Sequence, residues 1–267
     1  MKEKGNIRTI KLLRLTYVTN NPYKEKGGYI LLFSKALLFY GKHFDRLLVI
    51  SLGILLPLLL LQTFIVNYVY SVSSINGITF YGDLANALFT LLIVVIAQAP
   101  YIKYVMLEEE GEEKGFKKSL ISFAEKAFSL YLFSVMFTLL VVFGSILLFI
   151  PGLILLVFFY LTPFVMIADN IKISKAMKKS LKIAKRKFFP ILAILFLIGI
   201  MDWTVGYLTI YLSTLFTGLY FGVLSAKLIV SSAVYPLGII YLTLYFMKWN
   251  EEMKEVDGLG DLEIEAV

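Results

Sequence analysis

Residues 47–70 read LLVISLGILLPLLLLQTFIVNYVY, twenty-four consecutive positions without Asp, Glu, Lys or Arg. About 20 apolar helical residues cross a hydrocarbon core about 30 Å thick. In that core no water is present to bond backbone N–H and C=O groups, so a helix is the form such a stretch must take. Five further stretches repeat the pattern, at residues 84–102, 128–150, 153–168, 188–213 and 222–247. The sequence therefore predicts an all-α, polytopic membrane protein with six transmembrane helices.

Composition agrees. Of 267 residues, 59% are hydrophobic, and the mean hydropathy is +0.80. A soluble domain averages roughly 45–50% apolar residues. There are no cysteines and one histidine, His43. Disulfides, thiolate metal sites and thiol nucleophiles are excluded, and a zinc site or Ser-His-Asp triad would have one imidazole to use. No paired-carboxylate site, Gly-rich phosphate loop or metal-ligand cluster stands out, so neither a cofactor nor a catalytic centre is expected. The net charge is +7. Its Lys and Arg residues flank the apolar blocks, which points to topology signals and anionic lipid, with no nucleic acid implied. Nothing in the pattern indicates an oligomer.

The flanks set the organisation. Residues 1–28 form a basic arm with a short helix or strand around 7–18, followed by a six-span domain at 29–247 and an acidic tail at 248–267. The arm has no apolar core ending in a small-residue cleavage site, so the first span is expected to act as an uncleaved signal-anchor. Connections rich in lysine, at 103–126 and 172–187, alternate with connections at 71–83, 151–152 and 214–221 that hold no Lys or Arg. By the positive-inside rule both termini and the basic connections are expected in the cytoplasm, in a cell membrane. The glutamates at 108–110, 112 and 113 weigh little in that rule.

A threefold pattern runs through the basic segments. Lys35-Ala36-Leu37, Lys118-Ser119-Leu120 and Lys179-Ser180-Leu181 each sit on an amphipathic stretch that ends at a Phe (44, 128, 188) and enters a span. The apolar stripes are Ile30, Phe33, Leu37, Tyr40 and Phe44; then Phe116, Leu120, Phe123 and Ala127; then Ile173, Met177, Ser180, Leu181 and Ala184. This reads as three basic interfacial helices, each followed by a two-span hairpin, or as the lysine enrichment common to any inner connection. Either way the expected headgroup contacts are Lys35, Lys42, Lys117, Lys118, Lys175, Lys178, Lys179, Lys182, Lys185 and Arg186.

The run Ile150-Pro151-Gly152-Leu153, Leu161-Thr162-Pro163, Ala168-Asp169-Asn170 and Ala176-Met177-Lys178-Lys179-Ser180, up to Phe188, carries a resemblance. So do Phe33-Ser34-Lys35-Ala36-Leu37, His43-Phe44 and Leu55-Leu56-Pro57. Together, over about residues 29–247, they resemble the membrane domain of some glycerophosphoryl diester phosphodiesterases and of related six-span proteins. Met177 departs from the Leu usual there. The resemblance implies a fold and a membrane location. Catalysis in those enzymes belongs to a separate soluble barrel of about 200–250 residues, which no segment of this sequence supplies.

Several polar residues read two ways. Asp202 and Lys227 are an intramembrane pair, or two interfacial groups beside the belt residue Trp203. Asp169 and Asn170 contact headgroups, or stop the fourth span and cap the basic helix after it. Pro57, Pro100, Pro163 and Pro236 enclose a cavity between kinked spans, or are ordinary membrane-helix prolines. His43 contacts a headgroup, or is an interfacial bystander. Gln62 and Gln98 lie deepest among the amides, with Asn67 and Asn86 nearer span ends. The function expected is a non-catalytic membrane module that contacts anionic lipid through its basic surface. The alternative is a permease or lipid transporter working through the cavity.

Overall fold

The computed structural model describes residues 28–75 and 77–264; the basic arm, with its expected element at 7–18, lies outside them. The described residues are helical throughout, without a strand. In chain order they form α1 Gly28–Lys42, α2 Phe44–Ile50, a π-helical turn Ser51–Leu55, α3 Leu56–Ser74, α4 Phe80–Glu109, α5 Gly115–Leu147, α6 Phe149–Phe159, α7 Thr162–Ala168, α8 Ile173–Phe216 and α9 Tyr220–Ile264. Six stretches are long and apolar enough to cross a membrane: Phe44–Ser74, Phe80–Glu109, Gly115–Leu147, Phe149–Ala168, Ile173–Phe216 and Tyr220–Lys254. Large apolar side chains left exposed, such as Phe64, Phe143, Phe196 and Ile229, form the outer wall expected against lipid tails.

Successive spans run antiparallel, so the connections fall at two ends. The basic end joins α1, the α4–α5 turn, the α7–α8 link and the last part of α9. Lys35 pairs with Glu109, Arg46 with Glu108 and Lys187 with Glu252 across that end. The other connections make up a lysine-free end, where the Tyr70 hydroxyl donates to Asp83 at 2.6 Å. Gly111 takes φ +76° in the α4–α5 turn, a left-handed position that suits glycine.

Packing is uneven along the bundle. On α4 the run from Ala97 to Met106 is buried except at Lys103, and on α9 the run from Gly238 to Phe246 is buried. Both runs lie toward the basic end. Phe133, Phe137, Phe164 and Phe246 are among the largest fully buried side chains, with Phe164 and Phe246 ring centroids 5.5 Å apart. Such a core transmits no slack, because close-packed interiors hold few voids. Beyond these runs, midway along the bundle, the helices border a cavity.

Three expectations are corrected. The turn between the third and fourth spans is Leu148 alone, in extended conformation, and Pro151 and Gly152 belong to the first turn of α6. Proline early in a helix forfeits no intrahelical bond, since the first N–H groups have no partner there. The buried stripe of α1 is Leu32, Ala36 and Phe39; Ile30 is 78% exposed, and Phe33 and Leu37 are exposed too. This helix is apolar nearly all round, so several stripes fit its periodicity, and packing on α9 selects one. The Phe33 ring meets Tyr241 edge-on at 5.6 Å, and the Tyr40 hydroxyl donates to the Ala233 carbonyl at 2.7 Å. Pro163 lies, as expected, within the fourth span, in the first turn of α7 after a break at Tyr160 and Leu161. Finally, α9 runs on through the start of the acidic tail, where Trp249 and Met253 are buried.

The other breaks have local causes. Pro190 cannot donate to the carbonyl of Arg186, and the backbone opens at Lys187 (φ −120°, ψ 28°), separating a basic segment from the span after it. His43 (φ −115°, ψ 21°) separates α1 from α2. In the middle unit α5 is continuous, so two of the three basic segments bend away from their spans and one does not.

Candidate functional site

Three places gather polar groups: the basic segment of α8, a cluster around His43, and a cavity midway along the bundle. The first follows helical spacing. Ala176, Ser180, Ile183 and Ala184 are buried, and the Ser180 hydroxyl donates to the Phe158 carbonyl at 2.8 Å. That anchor turns Lys175, Lys178, Lys182, Lys185 and Arg186 outward, and all five are exposed. Lys42 and Lys117 are exposed on neighbouring segments.

Several of the expected headgroup residues have protein partners, Lys182 and Arg186 among them. Lys35 pairs with Glu109, Lys118 with Glu112 and Lys179 with Asp169. Asp169 therefore serves Lys179. It does not cap α8, which starts after Lys172 in extended conformation without a side-chain cap. Asn170 takes a positive φ of 52° in the link.

The sequence did not reveal the cluster around His43. The ring is buried and lies on Phe39, with centroids 4.5 Å apart. Its Nδ1 is hydrogen-bonded to the Tyr104 hydroxyl at 2.8 Å. Glu108 Oε2 stands 3.8 Å from Nδ1, while Arg46 reaches Glu108 Oε1 at 3.0 Å and the Tyr104 hydroxyl at 3.4 Å. The one signal available was spacing: Tyr104 and Glu108 are one turn apart at the end of α4.

Burial holds the His43 imidazole below its ordinary value of 6.5; Glu108 and Asp45 oppose the shift, and Lys42 and Arg46 add to it. The folded chain thus prefers the neutral ring. Its contribution to stability is full above pH 6.5 and falls as the pH drops below that value toward the folded one. Thermal unfolding between pH 7.5 and 5 is expected to show a fall that His43→Gln reduces. As the sole histidine, His43 makes this a clean comparison. Parallel curves for the two proteins would refute the assignment.

The cavity has a volume of about 340 Å³ and is bordered by α3, α4, α6, α8 and α9. Asp202 is on its wall. Asp202 lies fifteen residues past Lys187 and fourteen before Phe216, hence about 20 Å from either end of that span at 1.5 Å per residue. It is mid-helix and exposed toward the opening. Gln62 donates to the Thr90 hydroxyl at 2.7 Å nearby. Lys227 sits one turn away: a Cβ added at Gly206 would come within 3.9 Å of Lys227 Cε. Lys227 exerts a coulombic influence on Asp202, yet among the described residues the two form no direct ion pair.

No family model, curated protein or solved structure matches this chain. The functional reading therefore stands on its own geometry. Among the described residues no group of three or more His, Cys, Asp or Glu side chains could hold a metal ion. Of the four span prolines, Pro100 and Pro236 lie inside helices. Pro57 follows the π-helical turn at the start of α3, next to the cavity residues Leu55 and Leu59. Gln98 is fully buried, and its amide has no hydrogen-bond partner among the described residues.

Proposed function

We propose that this chain is a non-catalytic integral membrane module whose basic end gathers anionic lipid at the cytoplasmic leaflet. The observation that carries the reading is the lysine face of α8, held outward by a buried stripe and continued by Lys42 and Lys117. Each lysine near an anionic surface contributes about 1 kcal/mol of attraction. The basic end is placed inside by the positive-inside rule, with both termini cytoplasmic and the cell membrane as host.

The test is lipid retention. Protein carrying Lys175→Gln, Lys178→Gln, Lys182→Gln and Lys185→Gln is extracted from membranes of mixed phosphatidylglycerol and phosphatidylcholine, and co-purifying lipid is counted. The native chain is expected to enrich the anionic lipid and the variant to lose most of that enrichment. Equal enrichment in both removes the reading. A second reading, a permease or lipid carrier, draws on one observation: an acid beside a cavity in the middle of a span. Ionisable groups at that depth are costly and generally serve a function.

A further inference from the structure

The cavity is graded from polar to apolar, and the grading has the same sense on four helices. On α3 the lining passes from Gln62 through Leu59 to Leu55, and on α4 from Thr90 to Ile93 and Val94. On α8 it passes from Asp202 through Ile198 to Leu195, and on α9 from Ser231 through Val234 and Tyr235, whose hydroxyl donates to the Val94 carbonyl, to Ile239. In each case the polar member is the one nearer the lysine-free end. α3 and α8 run toward that end while α4 and α9 run from it, so chain direction does not produce the trend. The exposed members of the lining are Thr90, Gly199 and Asp202, which puts the mouth at the polar side.

From this gradient we infer that the cavity binds a single-chain amphiphile with an ammonium group attached directly to the end of its tail. The tail lies along the apolar floor toward the basic end, and the ammonium meets Asp202. Three observations favour that chemistry. A volume of about 340 Å³ is at the small end for ligand sites, roughly 300–1,000 Å³, and suits one chain better than two. Asp202 is the only charged residue in the lining, and it is an acid. The order of charges gives the third. Lys227 lies beside Gly206, one turn beyond Asp202 on the mouth side. Along the path out of the cavity, the acid therefore comes before the base. A phosphocholine or phosphoethanolamine amphiphile carries its phosphate next to the tail and its ammonium outside. That order would set phosphate on Asp202 and ammonium on Lys227, which is repulsive at both places. An alkylammonium meets the acid first and carries no second charge.

The inference concerns occupancy and holds whether or not the ligand crosses the membrane. It is tested with labelled dodecyltrimethylammonium and the whole chain in lipid nanodiscs, with empty nanodiscs subtracted. Saturable binding is expected, displaced by dodecylammonium and not by dodecylphosphocholine or dodecyl sulfate. Asp202→Asn is expected to weaken binding about tenfold or more, the loss typical of one charge-assisted contact. Lys227→Gln is expected to strengthen it, since a competing cation is removed. Gly199→Leu adds bulk at a lining position where a Cβ meets nothing within 4 Å. That bulk at the cavity wall should weaken binding with Asp202 intact. Displacement by dodecylphosphocholine with equal potency would assign the site to zwitterionic lipid heads and overturn the proposal. So would unchanged binding in both Asp202→Asn and Gly199→Leu, or an absence of saturable binding in the native chain.

Discussion

Gly152→Val is expected to lower the unfolding temperature more than any other single change at the helix contacts described above. A Cβ at Gly152 would lie 1.9 Å from Ser145 Oγ and 2.7 and 2.8 Å from the Ser145 backbone N and Cα. A rotamer change could move the hydroxyl, but the backbone of α5 cannot step aside without parting the two helices. Gly144 on the same face of α5 is less tight but still close, since its own Cβ would come within 3.2 Å of Gly152 Cα. Small residues let membrane helices approach closely, and that contact takes the place of a hydrophobic driving force between helices already in oil. Overpacking typically costs about 1–3 kcal/mol, occasionally more. The cost here belongs at the upper end, because Leu148 leaves no loop to absorb the shift. Thermal unfolding in detergent measures it, with Gly199→Ala as the control that has room for its Cβ. If Gly152→Val unfolds where the native chain does, the close approach of α5 and α6 is wrong.

This hairpin also illustrates what a sequence can and cannot disclose. The six spans were legible because an unpaired backbone in hydrocarbon is so unfavourable that long charge-free windows admit one answer. The division of loops into two ends was legible from lysine placement. The turn at Leu148 was not, because Pro-Gly is a common turn signal, while here Gly152 serves helix contact and Pro151 an early helical position. The buried face of α1 was hidden for a different reason. In a segment as apolar as residues 30–40, periodicity does not tell a protein-facing stripe from a lipid-facing one.

The polar sites were legible one residue at a time. Asp202, Lys227, Gln62 and His43 were conspicuous as polar groups in or beside apolar runs. Their partners were beyond reach, since Thr90 and Tyr104 are ordinary residues until the bundle sets them beside Gln62 and His43. The lysines divide in the same way. Their number follows from the sequence, but it took the fold to show that Lys35, Lys118 and Lys179 already face carboxylates while Lys175, Lys178 and Lys185 lie on the exposed face of α8.

The whole account depends on the basic segments sharing one side of the membrane, and the chain is well suited to a direct measurement. With no native cysteine, each single-cysteine variant reports without background. Lys117→Cys and Lys178→Cys place a thiol on the basic segments of α5 and α8, and Gly218→Cys places one on the α8–α9 connection; all three positions are exposed. A membrane-impermeant maleimide is added to sealed, uniformly oriented vesicles before and after permeabilisation. The expected result is that positions 117 and 178 label together from one face and position 218 from the other. Labelling of 117 and 178 from opposite faces would contradict the layout, and with it the lipid-gathering surface.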